Sequence, residues 1–129
     1  MGAVDEVVDR ICRDCGDKTM MQSSVYLRAA RYFAGDKFVC ETFNDQGFYY
    51  GIRNKRSFRL IAIAVSRASQ GQGLGAQMIC RIIELCENSG LYEITLRTHK
   101  DGKAVAFWKK MGAVIVGERD SDYEMKIFL

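Results

Sequence analysis

Proline is absent from this chain of 129 residues, and histidine and tryptophan occur only once each. Without proline-rich or low-complexity stretches, and without an internal repeat, nothing in the sequence marks a linker between domains. A chain of this length can bury one hydrophobic core. We therefore expect residues 1–129 to form a single domain.

Long apolar runs and a strong net charge are missing as well. The longest apolar run is LIAIAV, residues 60–65, far shorter than the roughly 20 residues that a membrane-spanning helix needs. The formal net charge is +3, which is compatible with an anionic small ligand but too weak to indicate nucleic-acid binding. We expect neither a membrane nor a nucleic acid as a partner.

The five cysteines, Cys12, Cys15, Cys40, Cys80 and Cys86, form an odd and scattered set. The first ten residues are acidic and amphipathic, unlike a secretory leader. Together these features predict free thiols in a reducing, cytoplasmic compartment. Cys12 and Cys15 have the spacing of a zinc or redox pair, but no second ligand pair accompanies them, so two buried helical thiols and no metal site are expected.

The hydrophobic pattern predicts a mixed α/β fold with the element order α, α, β, β, β, α, β, α, β, β. Helices are predicted at residues 3–15, 20–33, 74–90 and 103–111, and strands at residues 37–43, 47–53, 57–66, 91–98, 113–117 and 122–129. The strand–helix–strand step in the middle predicts one parallel pair, joined by a right-handed crossover, inside an otherwise antiparallel sheet.

Three glycines, Gly71, Gly73 and Gly75, stand between the most apolar strand and the third helix. The N-terminus of a helix carries unpaired N–H groups and the positive end of the helix dipole, and it therefore attracts phosphate. Glycine removes the Cβ and permits positive φ, so that several amides can converge on one point. The pattern favours an anion-binding loop, although a flexible loop without a ligand would have the same composition.

Residues 71–76, GQGLGA, also satisfy the dinucleotide fingerprint G-x-G-x-x-A. An acidic residue, Glu93, follows at roughly the expected twenty residues. However, Glu93 falls at the start of its strand instead of the end, and the five residues SRASQ separate Val65 from Gly71. A nucleotide-binding or nucleic-acid-binding domain is therefore the weaker alternative.

The stretch AVSRASQGQGLGAQM, residues 64–78, resembles the GCN5-related N-acetyltransferase (GNAT) family. The signature of that family is Arg or Gln, two residues, Gly, one residue, then Gly or Ala, and Gln70, Gly73 and Gly75 meet it. Val65 stands where the preceding strand of the family ends. The resemblance implies a GNAT-like fold, in which a mostly antiparallel sheet has one parallel pair splayed at the cofactor site.

A second stretch, DGKAVAFWKKMGA at residues 101–113, resembles the segment Asn-x-x-Ala…Tyr-x-x-x-Gly-Phe of the same family. Ala104 and Gly112 match this segment, whereas Asp101, Trp108 and Ala113 depart from it. The likeness covers roughly residues 37–129 and is strongest at residues 60–76. The first strand that is usual in the family is not evident.

The resemblance implies that acetyl-CoA is the acyl donor and that the chain is an N-acetyltransferase. Main-chain groups of the central strand would bind the pantetheine arm as an added strand, and amides of the glycine loop would bind the pyrophosphate. The implied cofactor-binding residues are Ile63, Ala64, Val65, Gln70, Gly71, Gln72, Gly73, Leu74, Gly75, Ala76, Asp101, Lys103 and Trp108. Arg67 is a further cation that the resemblance places near the phosphates.

The acid and base positions of the family are unfilled in this sequence. Residues 60–65 contain no ionisable group, Leu96 occupies the alternative position on the next strand, and Trp108 replaces the usual tyrosine acid. His99 is the candidate base, although a loop histidine is more often a solvated surface residue. Tyr49, Tyr50 and Tyr123 are further candidates for substrate contact, or they pack in the sheet.

Two interpretations of the empty positions stay open. An acceptor amine that is already partly neutral, or one deprotonated through water, would need no dedicated base. Alternatively, the chain is a noncatalytic acyl-CoA-binding or interaction module on the same fold. We favour an enzyme that acetylates a primary amine of a small molecule or a peptide. The exposed C-terminal strand would also allow a homodimer.

Overall fold

One sheet organises the chain in the structure, a computed structural model that describes residues 2–15 and 23–129. The helices are α1 (Gly2–Cys15), α2 (Ser23–Ala34), α3 (Leu74–Asn88) and α4 (Gly102–Lys110). The strands are β1 (Phe38–Phe43), β2 (Gly47–Arg53), β3 (Ser57–Val65), β4 (Glu93–His99), β5 (Val114–Glu118) and β6 (Asp122–Phe128). Within the described residues the strand order is β1-β2-β3-β4-β6-β5.

The element order matches the one that the sequence predicts, and the mixed α/β fold class is confirmed. Gly90 and Gly112 have φ of +72° and +94° and follow the ends of α3 and α4, where glycine is the usual stop. Residues 16–22, which include the start of the second predicted helix, lie outside the described residues.

The fourth strand begins later than predicted. The amide of Leu91 donates to the carbonyl of Cys86 at 2.9 Å, so this residue still belongs to the C-terminal cap of α3. Strand β4 therefore starts at Glu93 and extends to His99. The strand also ends one residue later than predicted, so His99 is the last residue of the strand and not the first residue of a loop.

The helices cover both faces of the sheet, with two helices on each face. Helices α3 and α4 pack on one face, over a cluster of Tyr49, Phe58, Leu60, Ile79, Ile82, Cys86, Leu91, Ile94, Leu96, Trp108, Ala113, Met125 and Ile127. Helices α1 and α2 pack on the other face, over Phe48, Tyr50 and Ala64, and contribute Val8, Ile11, Cys12 and Leu27. Within the described ranges, every helix is too short or too polar to cross a lipid bilayer.

Strands β3 and β4 separate soon after they meet. Their parallel pairing is confined to three pairs, Ser57 with Glu93, Phe58 with Ile94 and Arg59 with Thr95. Residues 60–65 of β3 and residues 96–99 of β4 then continue without pairing to each other, although β2 and β6 still pair with them on the outer sides. The parallel pair that the sequence predicts is therefore splayed along most of its length.

A bulge in β3 lies at the start of this gap. Tyr50 pairs with Ala62 and Gly51 pairs with Leu60, so Ile61 is the extra residue on β3. Gly51 permits this close approach, because a Cβ at that position would overlap the carbonyl oxygen of Arg59. Such bulges bend a strand and redirect its side chains, and Ile61 is 40% exposed in a strand whose other residues are buried or partly buried.

Candidate active site

The loop between β3 and α3 is held open by two glycines with positive φ. Gly71 has φ of +79° and Gly73 has φ of +82°, a conformation that other residues rarely adopt. A Cβ built at either position would meet no heavy atom within 4 Å. Glycine is therefore required here by the backbone conformation and not by crowding.

Helix α3 begins at this loop with unpaired amides. Gly73 is the N-cap residue, and no side chain caps the helix. The first helical bond runs from the amide of Gln77 to the carbonyl of Gly73 at 3.0 Å. The amides of Leu74, Gly75 and Ala76 precede that bond, and no acceptor in the described part of the chain bonds to them.

These amides face a cavity of about 390 Å³ that we call the loop cavity. It is lined by Val65, Ser69, Gln70, Gly71, Gly73, Leu74, Gly75, Ala76, Phe107, Lys110 and Met111. A Cβ at Gly75 would lie 3.5 Å from the ring of Phe107, which is an ordinary van der Waals contact. The ammonium group of Lys110 adds a positive charge to the donors of the helix N-terminus, so this cavity suits an anion.

Gln70 fixes the loop to the end of β3. Its Nε2 donates to the carbonyl oxygen of Val65 at 3.0 Å, and the Sγ of Cys15 approaches the same oxygen at 3.4 Å. The side chain of Gln70 therefore positions the loop. Gln72 donates from Nε2 to the carbonyl of Ala68 at 3.4 Å, and it does not line the loop cavity.

The main chain of β3 presents polar groups to the gap between β3 and β4. The amide of Ser66 donates to the carbonyl of Gln46 at 2.7 Å, which makes residues 46 and 66 a hydrogen-bonded pair. In antiparallel pairing this direction repeats at every second residue, so Ala64 directs its main-chain groups at β2. Ile63 and Val65 then direct theirs into the gap, where β4 no longer pairs with them.

The gap itself contains a cavity of about 590 Å³, which we call the splay cavity. It is lined by Tyr26, Tyr50, Leu60, Ile61, Ala62, Ile63, Leu96, Arg97, Thr98, His99, Ala104, Trp108 and Asp122. Side chains of α2, β2, β3, β4, α4 and β6 thus meet at one place. Trp108 is 7% exposed and forms an apolar wall together with Ala104.

His99 is placed in the splay cavity with a partner. Its Nδ1 lies 3.0 Å from Oδ1 of Asp122, the residue directly opposite in the β4–β6 register. Because a carboxylate can only accept, Nδ1 holds the proton of this contact. In a neutral imidazole Nε2 is then an acceptor, which is the state that a general base requires.

The three charged residues that the family resemblance implies, Asp101, Lys103 and Arg67, line neither cavity. Asp101 is the N-cap of α4 and accepts a hydrogen bond from the amide of Lys103 at 2.9 Å. The side chain of Lys103 is exposed on the first turn of the same helix. Arg67 packs against the end of α1, where its amide donates to Asp14 at 2.6 Å and its guanidinium to the carbonyl of Cys15 at 3.2 Å.

A model of the acetyltransferase (GNAT) family matches residues 38–113, which is more than half of the chain. The chain belongs to this family. The family prediction made from residues 60–76 is therefore confirmed, and N-acetyl transfer is its class of reaction. A comparison with curated protein sequences finds no match.

Solved structures show the same fold at low sequence identity. The PaiA N-acetyltransferase of Thermoplasma acidophilum, in complex with coenzyme A, is 14% identical with a TM-score of 0.80, over 98% of this chain and 94% of that chain. Ard1 of Thermoplasma volcanium is 19% identical with a TM-score of 0.78, over 97% and 93%. The ribosomal-protein-S18-alanine N-acetyltransferase of Escherichia coli is 17% identical with a TM-score of 0.66, over 87% and 89%.

The three tyrosines considered from the sequence lie in different places in this GNAT chain. Tyr50 lines the splay cavity. Tyr49 lies on the opposite face of β2 and donates a hydrogen bond to Glu41, and burial together with this bond raises the pKa of its hydroxyl. Tyr123 lies beside Lys100, whose Nζ is 5.3 Å from the centre of the ring. Of the three, Tyr50 lines the splay cavity, and its side chain is buried under α1 and α2.

All five cysteines lie in the described residues, and none of them forms a disulfide. Cys12 is buried against the sheet, whereas Cys15 is half-buried. Burial raises the pKa of the Cys40 and Cys86 thiols to about 11, so both stay protonated near neutral pH. Among residues 2–15 and 23–129 no group of three His, Cys, Asp or Glu side chains is arranged to hold a metal ion.

Several residues that line the two cavities were missed by the sequence analysis, among them Arg97, Phe107, Lys110 and Asp122. Phe107 and Lys110 could have been found, because they lie three residues apart on one face of the predicted helix 103–111. Asp122 could not have been found, since it depends on the register between two strands that are far apart in sequence.

Proposed function

We propose that residues 1–129 form one domain that transfers an acetyl group from acetyl-CoA to a primary amine. The observation that carries this proposal is the splay of β3 and β4 beyond Arg59 and Thr95, beside a loop of unpaired amides. The amine attacks the thioester carbonyl directly, a tetrahedral intermediate forms, and coenzyme A leaves as its thiol.

The loop cavity binds the diphosphate of the cofactor. Gly71 and Gly73–Ala76 line it, and the helix dipole of α3 favours the negative charge there. Lys110 supplies a positive charge from α4. Gln70 positions the loop, because its hydrogen bond to the carbonyl oxygen of Val65 holds the loop at the end of β3.

The pantetheine arm lies along β3 as an added strand. Main-chain groups of Ile63 and the amide of Val65 are directed into the gap and can bond to the two amides of the arm. One of the main-chain N–H groups that face the gap, that of Ile63 or that of Val65, stabilises the oxyanion, which requires no particular side chain. Trp108 and Ala104 form the apolar wall beside the thioester.

His99 is the general base of the proposed reaction. Asp122 holds the imidazole by Nδ1, so Nε2 is left as an acceptor. It takes a proton from the bound ammonium, and the neutral amine that results attacks the thioester. The departing thiolate takes a proton from water, because Trp108 has only an indole N–H and cannot supply one. A thiolate is a good leaving group, since free thiols have a pKa of about 8.5.

The test is release of coenzyme A thiol from acetyl-CoA, followed across small primary amines, amino acids and peptides with free N-termini. Turnover above the rate of hydrolysis with at least one amine is the expected result. Silence across the whole panel, with coenzyme A still bound, would instead support the noncatalytic binding module. Thermal shift with acetyl-CoA, NAD and an oligonucleotide separates the ligand classes, because a ligand of the native state raises the midpoint.

The C-terminal strand β6 is not the exposed edge that the sequence predicts, because β4 and β5 pair with it on its two sides. We therefore propose that two copies pair through β5, which lies at the edge of the sheet. Val114, Ile115 and Val116 are 47%, 39% and 47% exposed on this strand. Its outer main-chain groups can pair with a second β5 about a two-fold axis. Sedimentation equilibrium should give a dimer for the wild type and a monomer for Val116→Lys, and a wild-type monomer would refute the pairing.

A reducing, cytoplasmic location is proposed from the thiols. Five cysteines without a disulfide among them, with Cys80 exposed on α3, are typical of compartments in which disulfides are rare. Alkylation of the protein in freshly lysed cells should label Cys80, whereas a Cys80 blocked as a disulfide would contradict this location.

A further inference from the structure

Arg97 lines the splay cavity two residues before His99 on β4. The neighbouring even positions, Ile94 and Leu96, are buried in the cluster under α3 and α4. Because side chains alternate along a strand, Arg97 and His99 share the other face of the sheet, the face on which α1 and α2 pack.

The acidic side chains nearest to Arg97 are already engaged. Glu124 stands directly opposite Arg97 in the β4–β6 register, but it forms a two-fold ion pair with Arg59, whose second bond is 3.2 Å long. Asp122 holds His99. In the part of the chain that the structure describes, no acidic group lies within ion-pair distance of Arg97.

Arg97 is therefore a permanent cation on the cavity wall with its guanidinium donors available. A guanidinium presents N–H groups in a planar fork that matches the two oxygens of a carboxylate. The cavity lining carries one other formal charge, that of Asp122, which belongs to the His99 pair. A ligand that enters this cavity thus meets a cation that forms no ion pair within the described part of the chain.

We propose that Arg97 binds a carboxylate of the acceptor, so that the acceptor is a small amino acid whose amine and carboxylate are a few bonds apart. The Cα atoms of Arg97 and His99 are about 6.6 Å apart along the strand. One small molecule can therefore place its amine at Nε2 of His99 and its carboxylate at the guanidinium. Polyamines and aminoglycosides fit poorly, because they would bring a second cation to Arg97. This inference rests on the proposed function, since it names the substrate class of the same site.

The experiment measures kcat/KM for matched sets of acceptors with acetyl-CoA as donor. Each set contains one amino acid, its carboxamide and its decarboxylated amine, so that size is kept while the carboxylate is removed. The proteins are the wild type, Arg97→Gln, Arg97→Lys and the control Arg56→Gln. Arg56 is an exposed arginine of the β2–β3 turn, at the far end of β3 from the cavity.

The wild type and Arg56→Gln should prefer the amino acid over its two partners by at least about tenfold, because a site with unpaired polar groups rejects the analogue that lacks their partner. The preference should fall to about onefold in Arg97→Gln and be partly restored in Arg97→Lys. Equal use of all three acceptors by the wild type, or an equal loss for all three in Arg97→Gln, would overturn the proposal.

A binding measurement keeps this inference separate from the proposed function. Calorimetry is used to titrate the amino acids into protein saturated with coenzyme A, for the wild type and for Arg97→Gln. If no amine supports turnover, the enzymatic proposal fails, while Arg97-dependent binding of amino acids would still support the carboxylate site. If amines without a carboxylate turn over and no amino acid binds, the proposed enzymatic activity is supported and the carboxylate site is refuted.

Discussion

The two sides of the gap between β3 and β4 are built from different parts of the protein. On the proposed cofactor side, most of the lining comes from residues 63–76, which are nearly consecutive in sequence. On the acceptor side, the side chains of Tyr26, Arg97, His99 and Asp122 come from three separate elements. A site made of main chain needs small residues at fixed spacing, whereas a site made of side chains needs the fold to bring them together.

Substitutions on the two sides should therefore have different effects on cofactor binding and on catalysis. Atoms added to the cofactor side fill space that a ligand needs, so that even a well-folded variant loses binding. Atoms removed from the acceptor side delete a proton acceptor or a charge, so that chemistry is lost while the cofactor still binds. Three variants test this difference, in order of the expected effect.

Gly75→Glu should have the largest effect. The new carboxylate lies in the loop cavity beside Phe107, where it would repel the diphosphate. Two like charges about 4 Å apart near a protein surface cost roughly 4 kcal/mol, which corresponds to about a thousandfold loss of affinity for coenzyme A by calorimetry. Gly75→Ala is the matched control, because its Cβ makes an ordinary contact with Phe107. A Glu variant that binds like the Ala variant would contradict the proposed diphosphate site.

His99→Ala should lower kcat/KM by about 10²- to 10⁴-fold, the usual contribution of a general base, with little change in affinity for coenzyme A. The loss should be larger for amines of higher pKa, because fewer of their molecules are neutral at the start. Added imidazole should restore part of the rate. An unchanged rate, or an equal loss of cofactor binding, would remove His99 from the mechanism.

Lys110→Ala should weaken coenzyme A binding by about fivefold at low salt, since an exposed charge contributes about 1 kcal/mol. The effect should shrink as salt is raised, because exposed charges are screened. Lys103→Ala, a change on the same helix, should leave the affinity within about twofold, since Lys103 lines neither cavity. If Lys103 proves the stronger contributor, the loop cavity does not hold the charged end of the cofactor.

The parts of this structure that could be predicted from the sequence are those encoded by neighbouring residues. Gly71 and Gly73 have the positive φ expected of them, and Gly90 and Gly112 stop the helices that precede them. The strand–helix–strand order predicted the parallel pair, which the structure shows between β3 and β4. Each of these features depends on a local steric property, which one stretch of sequence is sufficient to reveal.

The remaining features depend on register and on competing hydrogen bonds. The pairing of His99 with Asp122 follows from how β4 and β6 align, and no local pattern encodes that alignment. Asp101 and Arg67 have polar partners in the N-cap of α4 and at the end of α1, so their charges are used within the fold. Composition alone gives no sign of which partner such a residue will find.

The most direct test of the account is an amide NMR titration of the protein with coenzyme A. The account predicts that the amides of Gly73, Leu74, Gly75 and Ala76 show the largest shifts, together with the amide of Ile63. Inorganic pyrophosphate alone should shift the amide signals of the first four residues and leave the amide signal of Ile63 unchanged. If coenzyme A binds while these amides stay unshifted and residues elsewhere respond, the unpaired amides of α3 are not where the diphosphate binds.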